Sequence, residues 1–282
     1  MRIAVTGRQG QVTTALQRHA NIVALGRPEL DLVDLTTILP ALRAARPDVI
    51  VSAAAYTAVD KAESEPDAAF AINHRGAGAV AAAAAELGLP VIHLSTDYVF
   101  DGTKASPYVE TDPTAPLNVY GASKLAGEQA VAAATADHVV LRTTWVYAAQ
   151  GVNFVRTMLR LAETRDHLRV VDDQIGRPSY AADIAAAILT IAHRLKDDPS
   201  PDLRGIFHYS GGGDPTSWAG FARAIFSRAG KQVEVEPIPS SDYPTPAKRP
   251  ANSCLSCDKL AKIHGVIQQD WRESLSLCLK EM

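Results

Sequence analysis

The sequence predicts an α/β fold in which a doubly wound parallel sheet carries helices on both faces and is followed by a smaller C-terminal α/β lobe. Three observations lead there. Short apolar runs without polar alternation recur from the N-terminus, and longer segments of helical periodicity separate them. Strands buried on both faces read as continuous apolar runs, because helices cover each side of a parallel sheet. The third observation is a glycine-containing turn that follows the first strand directly and opens a helix.

Taken in order, RIAVT is the first strand, QVTTALQRH a helix and NIVAL the second strand. ELDLVD is a third short strand or its approach, TILPALRAA a helix and DVIVSAA the next strand. The span PDAAFAINHRGAGAVAAAAAELG reads as one long helix. Its alanines favour helix formation and let a helix pack closely on a sheet. PVIHLST, the YGASKLAGEQAVAAA helix and HVVLRT complete this part. After about Trp145 the rhythm loosens. Helical patterns at FVRTMLRLAET, AADIAAAILTIAHRL, SWAGFARAIFSRAG and DWRESLSLCLK are joined by short strands LRVV, IFHY and VEVEP. The proline-, glycine- and serine-rich connections suggest a domain over residues 1–150 and a lobe over 151–282, with a segment near 180–200 returning to the first.

The bulk properties narrow the function. A chain of 282 residues with 47% hydrophobic content buries a substantial core. A formal net charge of −3 lacks the clustered positive charge that holds nucleic acid or an anionic membrane, so neither is expected as a partner. No stretch approaches the ~18 apolar residues of a membrane span. The first strand begins almost at Met1, with no signal sequence ahead of it. Cys254, Cys257 and Cys278 are too few and too clustered for a disulfide framework, and one C-x-x-C pair without a second is short of the four ligands of a zinc site. A reducing cytoplasm is the expected location.

TGRQGQVT has the strand-turn-helix context of a Rossmann-like dinucleotide site. Gly7 and Gly10 permit a tight turn and a close approach of backbone amides to a pyrophosphate, with Gln11 and Val12 opening the helix. Thr13 occupies the third glycine position of such a pattern, where a Cβ crowds helix against strand or a hydroxyl adds a donor. The second strand is followed by Gly26 and Arg27, with no carboxylate for a ribose 2′-hydroxyl; Arg27 suits a 2′-phosphate and thus NADPH. Asp31 and Leu32 are candidates for the adenine edge.

Ser95, Thr96 and Asp97 stand at the carboxyl end of a strand, where ligands of open α/β sheets collect. Tyr120 follows Thr96 by 24 residues and precedes Lys124 by one helical turn, which puts phenol and amine on one helix face. A phenol with an ordinary pKa near ~10 needs a neighbouring cation to exchange protons near neutrality, and Lys124 is placed to supply it. His93 and His208 read as core histidines, and Trp218 as packing within the lobe.

In this order, the glycine turn, the Ser/Thr strand end and the Tyr/Lys pair resemble the extended short-chain dehydrogenase/reductases. The segments GRQGQV, ELDLVD, AAAYTAVDKAE, STDYVFDG, YGASKLAGE, LRTTWVY, NFVRTMLRLA, DQIGRP, GGGDPTSWAGFARAIF and YPTPAKRPANSCLS resemble more closely the dTDP-4-dehydrorhamnose reductase family. The resemblance implies hydride transfer from NADPH, or less often NADH, to C4 of dTDP-4-dehydro-L-rhamnose. It implies that Tyr120 gives a proton to the C4 oxygen, Lys124 holds the nicotinamide ribose and Thr96 hydrogen-bonds the ketone. Asp97 and Tyr98 would join the sugar site and Trp145 would lie against the ring. Asn153, Gln174 and Arg177 would sit near the nucleotide, with Ala53, Ala54, Ala55 and Tyr56 beside the cofactor. Tyr56 departs from a frequent histidine. Some relatives bind magnesium at a dimer contact through a glutamate of the first helix; Ala15 stands there, so no metal and a monomer or weak homodimer are expected. Two other readings stay open, a non-catalytic cofactor-binding subunit and an epimerase or related reductase on another nucleotide-sugar.

Overall fold

A computed structural model describes residues 1–19 and 21–282. The N-terminal part alternates β1 (Ile3–Thr6), α1 (Gln11–Leu16), β2 (Ile22–Leu25), α2 (Ile38–Ala45) and β3 (Val49–Ser52). It continues through α3 (Val59–Ala62), α4 (Pro66–Phe70), α5 (Ala77–Leu87), β4 (Val91–Thr96), α6 (Val119–Ala134) and β5 (His138–Thr143). The lobe is built from β6 (Val146–Tyr147), α7 (Phe154–Leu161), β7 (His167–Val171), β8 (Ile175–Gly176) and β9 (Ser179–Tyr180). After these come α8 (Ala181–Asp197), β10 (Gly205–Tyr209), β11 (Thr216–Ser217), α9 (Trp218–Arg228), β12 (Glu234–Ile238), α10 (Asp258–His264) and α11 (Trp271–Lys280).

Six strands form one sheet in the order β2-β1-β3-β4-β5-β10, and every pairing is parallel. Side chains alternate between its two faces. Ala4, Ile50 and Val91 point to a core shared with α2, α5 and α6. Ile3, Val5, Val49, Val51 and Ile92 point to the opposite core, shared with α1, α8 and α10. The helix from Ala181 therefore belongs to the sheet's own core, and β10 completes the sheet beside β5. The chain reverses direction across the sheet at β1 and β3, the switch point at which such folds take ligands.

Two segments depart from the sequence reading. ELDLVD is turn rather than strand, so β2 is the sheet edge. Asp31 accepts from the Val33 amide at 3.0 Å and Asp34 from the Thr36 amide at 3.2 Å. These short local bonds compete with a strand ladder and win. Leu30 and Leu32 are nevertheless buried, and a Cβ on Gly76 would meet Leu32 at 2.8 Å. The long alanine-rich helix is interrupted by a π-helical turn over residues 71–76, which directs Asn73 inward, 1% exposed.

The lobe packs α7, α9 and α11 around Tyr147, Phe221 and Trp271. β7 pairs in parallel with β12, β6 pairs in parallel with β9, and β8 antiparallel with β11. All three cysteines are buried and free, and the Ser210 amide donates to the Cys257 sulfur at 3.3 Å. Among the described residues no helix is long and apolar enough to cross a membrane.

Candidate active site

At the end of β1, Gly7 has φ +92°, and a Cβ there would be strained and 3.4 Å from the Cβ of Ala54. Gly10, extended at φ −67°, caps α1 without a side-chain acceptor for the helix's leading amides. Those amides and the bare backbone of the turn make a cradle for an anion. Thr13 is 2% exposed, and its hydroxyl lies 3.6 Å from where a Gly10 Cβ would stand. The threonine thus tucks beneath the turn. Val12 is buried in the core, and Ala15 beside it is 4% exposed. Gln11 donates to the Val146 carbonyl at 3.4 Å, while its Oε1 is buried without a partner.

The amides of Ala53 and Ala54 both donate to the Thr6 hydroxyl at 3.0 Å, tying the ends of β3 and β1. These two residues therefore present small side chains to the crevice, and their N–H groups are already used. Ala55 is half-buried. Tyr56 is held through its backbone by Asn73, whose amide group accepts from Tyr56 N at 2.8 Å and donates to Tyr56 O at 3.0 Å. Asn73 also donates to Ser123 of α6 at 2.9 Å, so one side chain joins the loop after β3 to the Tyr120 helix. The Tyr56 phenol donates to Glu65 at 2.8 Å.

Beyond β2 the exposed turn carries an ion pair. Glu29 pairs with the Arg8 guanidinium, which also donates to the Arg27 carbonyl at 2.9 Å and lies over Gly26. Arg27 is exposed, and Asp31 is half-buried in the turn that follows.

The β4 end brings the second group together. Thr96 is 6% exposed; its hydroxyl donates to Asp97 at 3.2 Å and accepts from the Tyr98 amide at 3.2 Å. Asp97 is 3% exposed, its Oδ2 has no partner, and burial pushes its carboxyl up to about 6 against the opposing hydroxyls of Ser253, Thr96 and Thr144. Tyr120 stands in the first turn of α6, whose cap is Asn118, accepting from the Gly121 amide at 2.7 Å. A Cβ on Gly121 would meet the Tyr98 carbonyl at 2.2 Å, so glycine lets the helix approach the strand end. The Tyr98 and Tyr120 rings meet edge to face at 5.7 Å. Burial pushes the Tyr120 phenol up to about 12, with the Thr96 hydroxyl opposing the rise and Asp97 adding to it.

Lys124 is buried, and its ammonium donates to the Leu94 carbonyl at 2.6 Å and contacts His93 Nε2 at 3.3 Å. Burial lowers it to about 8, while Glu128 opposes the fall. The expectation that Lys124 lowers the phenol is therefore corrected. Helical spacing puts the two on one face, but the ammonium is drawn to acceptors on β4.

On the lobe side a cleft of about 1110 Å³ is lined by Phe154, Leu168, Gln174, Trp218, Tyr243 and Arg249, among others. Tyr120, Lys124 and Thr96 lie outside that lining; Arg249, whose charge acts on Tyr98, connects the two regions. Arg249 grips Asp60 with both guanidinium nitrogens, at 3.1 and 2.8 Å, and so ties the lobe to α3. Trp145, with φ +47°, stacks on Trp218 at 3.6 Å. Trp218 packs within the lobe against Phe154 and Phe221, as read from sequence, and also lines the cleft, where it donates to Gln174 at 3.2 Å. Asn153 caps α7 and donates to the Ala148 carbonyl at 2.9 Å. Arg177 turns away from the cleft toward the Leu255 carbonyl at 3.3 Å, leaving its Nε buried and unpartnered. No cluster of three potential metal ligands occurs among the described residues.

The arrangement combines an anion cradle, a strand-end hydroxyl facing a protonated phenol, and a buried amine beside them. The family model described as RmlD substrate binding domain matches residues 1–282. A dTDP-4-dehydrorhamnose reductase of Sinorhizobium fredii is 56% identical over 97% of this chain and 95% of that protein. One of Burkholderia thailandensis is 47% identical over 100% and 99%. The crystal structure of the Bacillus anthracis dTDP-4-dehydrorhamnose reductase in complex with NADP superposes with a TM-score of 0.93 at 37% identity, covering 100% of this chain and 99% of that one. The chain belongs to the dTDP-4-dehydrorhamnose reductase family, with the α/β fold of the extended short-chain dehydrogenase/reductases.

Proposed function

We propose that this protein reduces the C4 ketone of dTDP-4-dehydro-L-rhamnose to dTDP-L-rhamnose, using NADPH with NADH as the poorer substitute. The observation that carries this reading is the buried Thr96 hydroxyl set beside the half-buried, protonated Tyr120 phenol at the end of β4. Once the Thr96 hydroxyl turns from Asp97 to the ketone, it and the Tyr120 phenol are two donors that stabilise the charge developing on the ketone oxygen as hydride arrives at its carbon. The cradle at Gly7 suits a pyrophosphate, and the orphaned acceptor Oε1 of Gln11 suits a hydroxyl donor of the nucleotide. The bound nicotinamide supplies the hydride. Thr96 and Tyr120 orient the carbonyl, and Tyr120 releases its proton to the oxygen that becomes the C4 hydroxyl. Lys124 holds a ribose hydroxyl through the remaining N–H of its ammonium. Asp97, with one carboxylate oxygen unpartnered, accepts from a sugar hydroxyl near Tyr98. Trp145 and Trp218 form the aromatic wall, and Gln174, with Asn153 at the head of α7, lies toward the nucleotide.

In this reading residues 1–150, joined by α8 and β10, hold the cofactor, and most of 151–282 holds the substrate. The protein works in the cytoplasm as a monomer or weak homodimer. Purified enzyme given dTDP-4-dehydro-L-rhamnose is expected to consume NADPH, followed as loss of reduced-nicotinamide absorbance, with a slower rate on UDP-linked ketosugars. No loss with any ketosugar refutes the proposal. Arg27, exposed at the end of β2, meets the 2′-phosphate. Arg27→Ala is expected to weaken NADP⁺ binding by about 10-fold, as loss of a charge-assisted bond does, and to spare NAD⁺. Calorimetric titration of both nucleotides checks this; equal losses remove Arg27 from the phosphate site.

A further inference from the structure

We infer that His93 is a positioning residue for Lys124: its Nε2 accepts a hydrogen bond from the lysine ammonium and holds that charge in the crevice between β4 and α6. The histidine is 1% exposed on β4, and both ring nitrogens have partners. Nε2 is 3.3 Å from Lys124 Nζ, and Nδ1 is 3.1 Å from the Ser52 hydroxyl on β3. An ammonium only donates, so Nε2 must be the unprotonated nitrogen. Nδ1 then carries the proton and donates to Ser52. Ser52 thereby sets the tautomer, as an outer partner does for a ligating imidazole.

The lysine has three N–H groups. One goes to the Leu94 carbonyl at 2.6 Å and a second to His93, which leaves one for a ligand. The close approach that permits this comes from Gly127, one turn after Lys124. A Cβ there would stand 3.6 Å from His93 Nε2 and 2.1 Å from the Asn73 carbonyl. Charged and titratable groups around the imidazole are few. Lys124 faces it from α6, with Glu128 of the same helix acting on the lysine, and His138 of β5 acts on His93. Burial, with the neighbouring Lys124 charge adding to it, holds His93 well below its ordinary value, in agreement with an acceptor that stays neutral. A second protonation would place an imidazolium against an ammonium and abolish the bond.

The inference rests on the reductase reading for the importance of Lys124, but its geometry is tested independently. In the unaltered full-length enzyme with ¹⁵N-labelled histidine, His93 is expected as the Nδ1–H tautomer at neutral pH, with Nε2 unprotonated. An Nε2–H tautomer overturns the inference. His93→Leu is expected to lower ketone-reduction kcat and to raise KM for reduced cofactor, each by about 10-fold. It should also move the alkaline limb of the pH profile to lower pH. His93→Gln, whose side-chain oxygen can replace Nε2, should recover most of both. If both variants keep the wild-type profile and cofactor KM, or if Gln fails as fully as Leu, His93 does not position the lysine. Where the leucine variant does not fold, the tautomer and the glutamine variant decide. An inactive wild-type enzyme instead counts against the proposed reaction.

Discussion

Tyr120→Phe is expected to lower the turnover of ketone reduction by about 10²–10⁴-fold, the usual contribution of a positioned proton donor. Cofactor affinity should be nearly unchanged. The substitution keeps the ring, and with it the edge-to-face contact with Tyr98 at 5.7 Å, and removes only the hydroxyl that faces Thr96. Because burial pushes that phenol up to about 12, it carries its proton throughout the neutral range and serves as the acid in the reducing direction. The alkaline limit on the reaction then falls to Lys124. Its ammonium, lowered to about 8, is charged below that pH and neutral above it. Turnover and cofactor binding should both decline as pH rises through that value. Single-turnover absorbance measurements, paired with fluorescence titration of the cofactor, check both statements. Unchanged turnover in the phenylalanine variant would remove Tyr120 from the chemistry.

Arg142→Met is expected to cost about 3–5 kcal/mol of folding stability, the usual result of stripping one partner from a buried ion pair. Arg142 and Glu128 are 2% and 4% exposed and joined by two bonds, at 2.9 and 2.7 Å. Ser95 adds a third bond to Glu128 at 2.5 Å, and the guanidinium lies 5.0 Å from the centre of the Phe100 ring. With arginine gone, the Glu128 carboxylate is left in a low-dielectric interior with a single hydroxyl. The double variant Glu128→Leu with Arg142→Met should regain much of the loss, since apolar pairs of similar volume often substitute well for buried charges. Urea unfolding midpoints measure both. A single variant as stable as the parent would show that the pair is solvated or dispensable. The cluster joins β5, the end of β4 and α6, the elements that carry Thr96, Tyr120 and Lys124, so the unpaired variant should also lose catalytic precision.

The strand and helix order was legible because parallel strands buried on both faces leave apolar runs that little else produces. ELDLVD misled for a physical reason. Its leucines do enter the core, as a strand's would, but the two aspartates bind their own turn amides and prevent a ladder. The π-helical turn left no periodic trace inside an alanine-rich stretch, so Asn73 passed unnoticed despite bridging Tyr56 and Ser123. Spacing placed Tyr120 and Lys124 on one face yet could not show that β4 offers the lysine two acceptors. The Arg8–Glu29 pair left no trace in the sequence because the two residues are 21 apart. Trp218 packs in the lobe as its place in the sequence suggested, but its stacking on Trp145 at the cleft is a tertiary fact.

The strand β10 reaches the main sheet only after the chain has traversed the four short lobe strands β6 to β9, α7 and α8. On a ribosome, β5 therefore emerges as a raw sheet edge and stays unpaired until residues beyond Tyr209 are synthesised. Release of an N-terminal half alone would leave that edge open to foreign strands, the usual start of aggregation. The two lobes cannot be exchanged as modules by cutting once between them. Any graft of a new sugar-binding lobe onto this scaffold needs at least three junctions, before β6, before α8 and after β10, and must keep α8 and β10 intact.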